Sequence, residues 1–144
     1  QRLDYPDNHI ESDNRLAWFL GRLDQKYGDG AFYVHMKRDR METAVSYSHR
    51  LGTLQIMQAY KNGIYLRRDS SNIIDPLTVA LDYYDTVTAN IEMFLERKKN
   101  KMVISLENLQ DDFKVFWSKI EAKGDLSAAL KECTVRHNAS DLIY

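Results

Sequence analysis

Two residues eight positions apart, Arg38 and Ser46, have side chains that could together bind a phosphate group. Arg38 follows an apolar run, residues 31–36 (AFYVHM), that predicts a buried strand, and Ser46 lies about two turns into the helix predicted after it. A guanidinium and a hydroxyl beside a helix N-terminus suit phosphate because both donate hydrogen bonds to its oxygens. The alternative interpretation is a solvated basic turn followed by an ordinary helical serine.

A second pair, His9 and Glu11, could supply a general base. Residues 8–12 (NHIES) predict a short strand, and residues two apart on a strand share a face. A carboxylate or an imidazole at the end of a strand can take the proton of a reacting hydroxyl. The alternative places Glu11 as an anion at the start of the next helix and His9 on the surface.

Three further polar residues have mainly structural interpretations. His35 lies inside the first predicted strand, where we expect a hydrogen-bonded core histidine. Glu107 follows the last predicted strand and is expected to order the turn there. We expect no metal site, because the single cysteine, Cys133, excludes a multi-cysteine zinc site and His137 has no metal-ligating partner at a suitable spacing.

The predicted elements alternate between helices and strands. The first predicted helix is capped by Asp13 or Asn14 and ends at Gly28, and the strand 31–36 follows it. The second helix runs from Met41 to Leu51, extends towards Tyr60 and is broken by Asn62-Gly63, after which the segment 63–75 is irregular. A helix from Asp75 and Pro76 to Leu95, the strand 102–106 (MVISL), a helix through Phe113 and Ile120 and a short helix after Asp125 complete the chain. This order predicts one α/β domain over 1–144, with a mainly parallel sheet flanked by helices. Ligands of such sheets bind beyond the carboxyl ends of the strands.

Composition restricts the class of protein. The chain has 144 residues, 44% of them hydrophobic, and a formal net charge of −1, so we expect a globular domain and no nucleic-acid partner. It contains no apolar run of about 18 residues, so we expect no membrane partner. The single cysteine and the absence of a signal-peptide pattern predict a cytoplasmic location.

The segment 38–47 resembles the 3′-phosphate-binding segment of the P-loop sulfotransferases, in which an arginine at the end of a strand is followed eight residues later by a helical serine. Arg38 and Ser46 have that spacing, and residues 44–47 (AVSY) are similar to the helix of the family. Arg40 and Ser48 have the same spacing, and we prefer Arg38 because it lies closer to the strand. Many members have Asn-Pro after the arginine, where this chain has Asp39-Arg40.

The resemblance covers about two-thirds of the chain. Residues 103–109 (VISLENL) are similar to a late strand of the family and its Tyr-Glu-Asp-Leu-like turn, and residues 82–95 resemble the long helix before that strand. The Lys-x-Gly-Thr-Thr loop that binds the 5′-phosphosulfate in the family has no counterpart here. We therefore expect Gln1 to lie downstream of a P-loop, in a chain truncated at its N-terminus. The alternative is a degenerate relative that cannot hold the sulfate donor.

The resemblance implies a P-loop NTPase-like core and a transferase that uses 3′-phosphoadenosine 5′-phosphosulfate (PAPS) as its co-substrate. It would transfer a sulfonate to the hydroxyl or amine of an unidentified acceptor, with Arg38 and Ser46 binding the 3′-phosphate and Glu11 or His9 as the base. Two other functions stay open. One is a non-catalytic interaction domain with a sulfotransferase-like fold, and the other is a nucleotide-dependent, kinase-like enzyme.

Overall fold

The structure is a computed structural model that describes residues 2–65 and 74–135. Its helices are α1 (Leu20–Tyr27), α2 (Arg40–His49), α3 (Gln55–Tyr60), α4 (Pro76–Glu96), α5 (Leu109–Lys119) and α6 (Leu126–Glu132), and its strands are β1 (Tyr33–Lys37) and β2 (Lys101–Ser105). Short 3-10 turns lie at Asn14–Trp18, Gly28–Gly30 and Leu106–Asn108, and a π-helical turn lies at Lys61–Tyr65.

The two described strands form a parallel sheet. The register runs from Tyr33 beside Lys101 to Lys37 beside Ser105, so both strands end at the same edge. Helices α2, α3 and α4 connect β1 to β2, as a parallel pair requires because its second strand must start again at the opposite edge. The predicted α/β class and the parallel pairing of the two strands are therefore confirmed.

Local sequence signals place the helix starts. The Asp39 carboxylate accepts the backbone N–H of Glu42 and caps α2, and Asp75 caps α4 with Pro76 at the first helical position. Asp125 caps α6 in the same way, through the N–H of Ala128. These caps explain why the starts of α4 and α6 lie where the sequence predicts them.

The main hydrophobic core lies between helices rather than on the sheet. Its buried side chains come from α2, α3 and α4 and from the connection between α2 and α3, namely Ala44, Leu51, Met57, Tyr60, Val79, Ala80 and Tyr83. Burial raises the pKa of the Tyr83 hydroxyl to about 12. The sheet is less covered, with Met36 54% exposed and Val103 51% exposed. Packing between α2 and α4 therefore fixes the orientation of α2, the helix that follows Arg38.

The predicted strand at 8–12 is wrong. These residues are irregular, and the first regular structure is the 3-10 turn Asn14–Trp18, which Asp13 caps through the N–H of Arg15. Ile10, the one large apolar side chain of the segment, is 65% exposed, so the segment has little apolar surface to bury against a neighbour. His9 and Glu11 therefore lie on a loop.

The predicted long helix after Met41 is also interrupted. The chain leaves the helix at Arg50 and starts again at Gln55, and the π-helical turn Lys61–Tyr65 runs through Asn62-Gly63, where a break was expected. Of the predicted irregular segment 63–75, residues 66–73 lie outside the described part, as do residues 136–144 with His137. In the described ranges, no helix combines the length and the apolar composition that membrane crossing requires.

Candidate functional site

At the carboxyl edge of the sheet, the Glu107 carboxylate links the residues that follow β1 to the end of β2. It accepts the backbone N–H of Asp39 at 2.7 Å and the hydroxyl of Ser105. The Ser105 hydroxyl, followed by the Asp39 N–H, lowers the pKa of the Glu107 carboxyl. Glu107 thus joins the turn after β2 to the junction between β1 and α2, which confirms its predicted role in ordering the turn.

Residues of helix α4 also contact the junction between β1 and α2. The Tyr84 hydroxyl donates to the carbonyl of Arg38 at 2.9 Å. Arg40 donates twice to Asp85, from Nε to Oδ1 at 2.6 Å and from Nη2 to Oδ2 at 2.7 Å. This pairing raises the pKa of the Arg40 guanidinium and lowers that of the Asp85 carboxyl. The backbone at Arg38 is therefore fixed by contacts to α4 as well as to the end of β2.

The Arg38 side chain contacts Glu42, one turn into α2. Its Nε and Nη2 atoms lie 3.3 Å and 3.0 Å from the same carboxylate oxygen, Oε2. The Arg38 side chain is 42% exposed, so this is a surface ion pair. Such pairs contribute about 0–1 kcal/mol, and an arriving anion can therefore replace the Glu42 carboxylate at modest cost.

Ser46 contacts a different arginine. Its hydroxyl accepts a hydrogen bond from Nη2 of Arg50 at 2.8 Å, and its carbonyl accepts one from Nε of the same side chain at 3.2 Å. Among the described residues, no hydrogen bond joins Arg38 to Ser46 directly. The structure thus places the two predicted phosphate-binding residues at the same helix, each paired with a neighbour one turn away.

These contacts define a row of side chains along α2, consisting of Arg38, Glu42, Ser46 and Arg50. We call it the α2 row. Its members follow at intervals of four residues, and the two helical ones, Glu42 and Ser46, lie on one face of α2. Arg38 precedes the helix and contacts Glu42, and Arg50 follows its last residue and contacts Ser46. Ala44 is buried on the opposite side of α2, and Thr43 is buried beside it. The α2 row therefore presents two guanidinium groups and a hydroxyl beside one carboxylate, an arrangement suited to bind a small anion in place of that carboxylate.

Both residues of the alternative pair, Arg40 and Ser48, have hydrogen-bond partners within the protein. Arg40 is paired twice with Asp85, and the Ser48 hydroxyl donates to the carbonyl of Val45 within its own helix at 2.8 Å. Both side chains therefore stabilise local structure. Arg40 contacts both carboxylate oxygens of Asp85, whereas Arg38 contacts one oxygen of Glu42, and this weaker geometry favours Arg38 and Ser46 as the pair that a ligand could contact.

The structure brings His9 and Glu11 together, at 3.0 Å between Nε2 and Oε2. The Tyr5 ring stacks on His9 with centroids 5.2 Å apart and on Tyr27 with centroids 6.2 Å apart. The pair is thus anchored to the end of α1 rather than to the sheet. In the described chain no hydrogen bond or ion pair connects it to the α2 row.

His35 is a buried histidine, 8% exposed, on the strand that leads to the site. Its Nδ1 atom has no hydrogen-bond partner among the described residues, so the expected hydrogen bond is not found for that nitrogen. Burial, followed by the charge of Lys37, lowers the pKa of the imidazole. The Glu92 carboxylate opposes this lowering of the pKa, but it is itself paired with Lys37 at 2.7 Å.

Residues 2–65 and 74–135 contain no group of three or more His, Cys, Asp or Glu side chains placed to hold a metal ion. Comparisons of the chain with family models, with curated proteins and with solved structures find no match.

Two members of the α2 row, Glu42 and Arg50, are not among the site residues predicted from the sequence. Their spacing was an available signal, because each lies four residues from a predicted binding residue on a predicted helix. Which residue pairs with which depends on side-chain geometry. In the structure, Arg38 contacts Glu42 and Arg50 contacts Ser46.

Proposed function

We propose that this chain is part of a PAPS-dependent sulfotransferase with a P-loop NTPase-like core, and that it binds the 3′-phosphate of the donor through Arg38 and Ser46. The observation that carries the proposal is the position of Arg38. It follows a parallel strand at the carboxyl edge, where α/β sheets bind ligands, and the helix that begins two residues later carries Ser46. The resemblance of the segment 38–47 to the sulfotransferases implies that the phosphate is a 3′-phosphate.

The proposed reaction is an in-line sulfonate transfer. An acceptor oxygen or nitrogen forms a bond to the sulfur of PAPS, and the bond between that sulfur and the bridging phosphate oxygen breaks. The electron pair of the broken bond stays with the departing adenosine 3′,5′-bisphosphate. The acceptor proton passes to the base, for which Glu11 is our first candidate and His9, in contact with it, the second.

The test of the binding proposal is calorimetric titration with adenosine 3′,5′-bisphosphate. We expect Arg38→Ala to weaken binding by about 1.5–3 kcal/mol, the range for hydrogen bonds to charged groups. Arg97→Ala is the matched control, because it removes an exposed arginine beyond the end of α4 without touching the α2 row. Equal affinity of the Arg38 variant and the wild type would contradict the assignment of Arg38.

The test of the base uses release of adenosine 3′,5′-bisphosphate from PAPS in the presence of hydroxyl and amine acceptors. With an acceptor that the wild type uses, Glu11→Gln should lower turnover and leave bisphosphate affinity unchanged, because the amide keeps the shape of the side chain but cannot take a proton. His9→Asn is compared in parallel. Full activity of Glu11→Gln with loss of activity in His9→Asn would assign the base to His9.

A further inference from the structure

Arg50 differs from the other arginines around the site in what its guanidinium contacts. Arg38 and Arg40 are each paired with a carboxylate. Arg50 instead donates to the hydroxyl and the carbonyl of Ser46, and its guanidinium lies 5.9 Å from the centroid of the Tyr47 ring. In the described part of the chain no carboxylate lies within ion-pair distance of it. Within residues 2–65 and 74–135, no acid therefore neutralises its positive charge.

The contact also determines how Ser46 can bind a ligand. A serine hydroxyl has one proton to donate and two lone pairs that accept. Because Arg50 donates to the oxygen of Ser46, the proton of that hydroxyl stays available for another acceptor. A phosphate oxygen placed beside this hydroxyl would receive the serine proton and lie next to the Arg50 guanidinium.

We propose that Arg50 is a third residue of the phosphate site, binding the same 3′-phosphate as Arg38 and Ser46 and orienting the Ser46 hydroxyl towards it. This inference rests on the proposed function and extends it by one residue. The phosphate replaces the Glu42 carboxylate in the middle of the α2 row and lies between the two guanidinium groups. A dianion is the matching ligand, since two cations face it once Glu42 has turned away.

The competing interpretation is structural. Arg50 follows the last residue of α2, where a cation is favourable, and its bond to the Ser46 carbonyl helps to end the helix. A purely structural role predicts a lower melting temperature for Arg50→Ala and no change in ligand preference. Binding of the 3′-phosphate predicts a change in ligand preference whether or not the melting temperature changes.

The experiment compares the wild type with Arg50→Ala, Arg50→Lys, Arg38→Ala and the control Arg97→Ala. Each is titrated at a temperature well below its melting point, with adenosine 3′,5′-bisphosphate and with adenosine 5′-monophosphate. We expect Arg50→Ala to lose about tenfold or more in bisphosphate affinity, with little change for the monophosphate, and Arg50→Lys to retain part of it. The combination of Ser46→Ala with Arg50→Ala should lose less than the sum of the two single losses, because both contact one phosphate.

Two results would overturn the inference in distinguishable ways. If the wild type binds the bisphosphate and Arg38→Ala weakens it while Arg50→Ala does not, Arg50 is a structural residue and the proposed function stands. If the wild type shows no preference for the bisphosphate over the monophosphate, the 3′-phosphate site itself is wrong and the role of Arg50 fails with it.

Discussion

The carboxylate of Glu107, which follows β2, accepts the backbone N–H of Asp39, which follows β1, at 2.7 Å. The two residues are 68 positions apart, so this single hydrogen bond ties together the turns that leave the sheet at its carboxyl edge. Asp39 is also the N-cap of α2. The position of Arg38 between β1 and that cap therefore depends on a residue far away in the sequence.

We predict that Glu107→Ala lowers the melting temperature, because the Asp39 N–H and the Ser105 hydroxyl both lose their acceptor. Circular dichroism melts check this, with Glu96→Ala as a control at an exposed position of α4. The folded-state pKa of Glu107 is lowered, so its contribution is complete above the unfolded value near 4.5 and is lost as the pH falls through the folded value. The difference between wild type and variant should therefore shrink in acid, and a constant difference would contradict the assignment.

The buried His35 predicts a second pH effect of defined sign. Its folded-state pKa lies below 6.5, so folded and unfolded chains are both neutral at this site above that pH. Below about pH 6.5 the unfolded chain binds the proton first, and stability falls until the folded-state pKa is reached. We predict that, between about pH 7.5 and pH 5, the melting temperature of His35→Leu falls less than that of the wild type. Parallel curves for the two proteins would show that His35 is not the titrating group.

The Glu42 carboxylate is paired with the Arg38 guanidinium. We predict that Glu42→Gln tightens binding of adenosine 3′,5′-bisphosphate by about 2- to 5-fold, because the anion no longer competes with a carboxylate in a surface ion pair. Calorimetric titration beside Glu96→Gln, which removes a carboxylate outside the α2 row, separates this effect from a change in net charge. Weaker binding in Glu42→Gln alone would mean that Glu42 helps to hold the ligand.

The position of the core is tested by two methionines. Met57 on α3 is fully buried in the cluster between α2, α3 and α4, whereas Met93 on α4 is 66% exposed. We predict that Met57→Ala lowers the free energy of unfolding by about 2–5 kcal/mol through lost burial and the cavity left behind. Met93→Ala should change it by less than about 0.5 kcal/mol. Urea denaturation measures both, and equal effects would contradict the helical core.

The sequence predicts the elements whose signals are local. Asp75 with Pro76 and Asp125 mark the starts of α4 and α6, and the two apolar runs correspond to β1 and β2 within one or two residues. Their parallel pairing followed from the alternation of strands and helices. The helix starts and the strands could be predicted because each depends on side chains within a few positions of one another, whereas the pairing could be predicted from the order of the elements along the chain.

The rest depends on contacts between distant segments. Residues 8–12 contain one large apolar side chain, Ile10, which is 65% exposed, and the segment is irregular rather than a strand. In the candidate site, the sequence identified Arg38 and Ser46 by spacing and resemblance. It could not assign their partners Glu42 and Arg50, since several residues one turn apart on α2 compete for each side chain.

Thermal denaturation of the wild-type chain, with adenosine 3′,5′-bisphosphate and with adenosine 5′-monophosphate, tests the central claim most directly. A ligand that binds only the folded state adds about 2.7 kcal/mol of stability at 100 times its Kd. We predict that the bisphosphate raises the melting temperature and that the monophosphate, at the same concentration, raises it far less. Equal shifts, or no shift with either nucleotide, would contradict a 3′-phosphate site at Arg38 and Ser46.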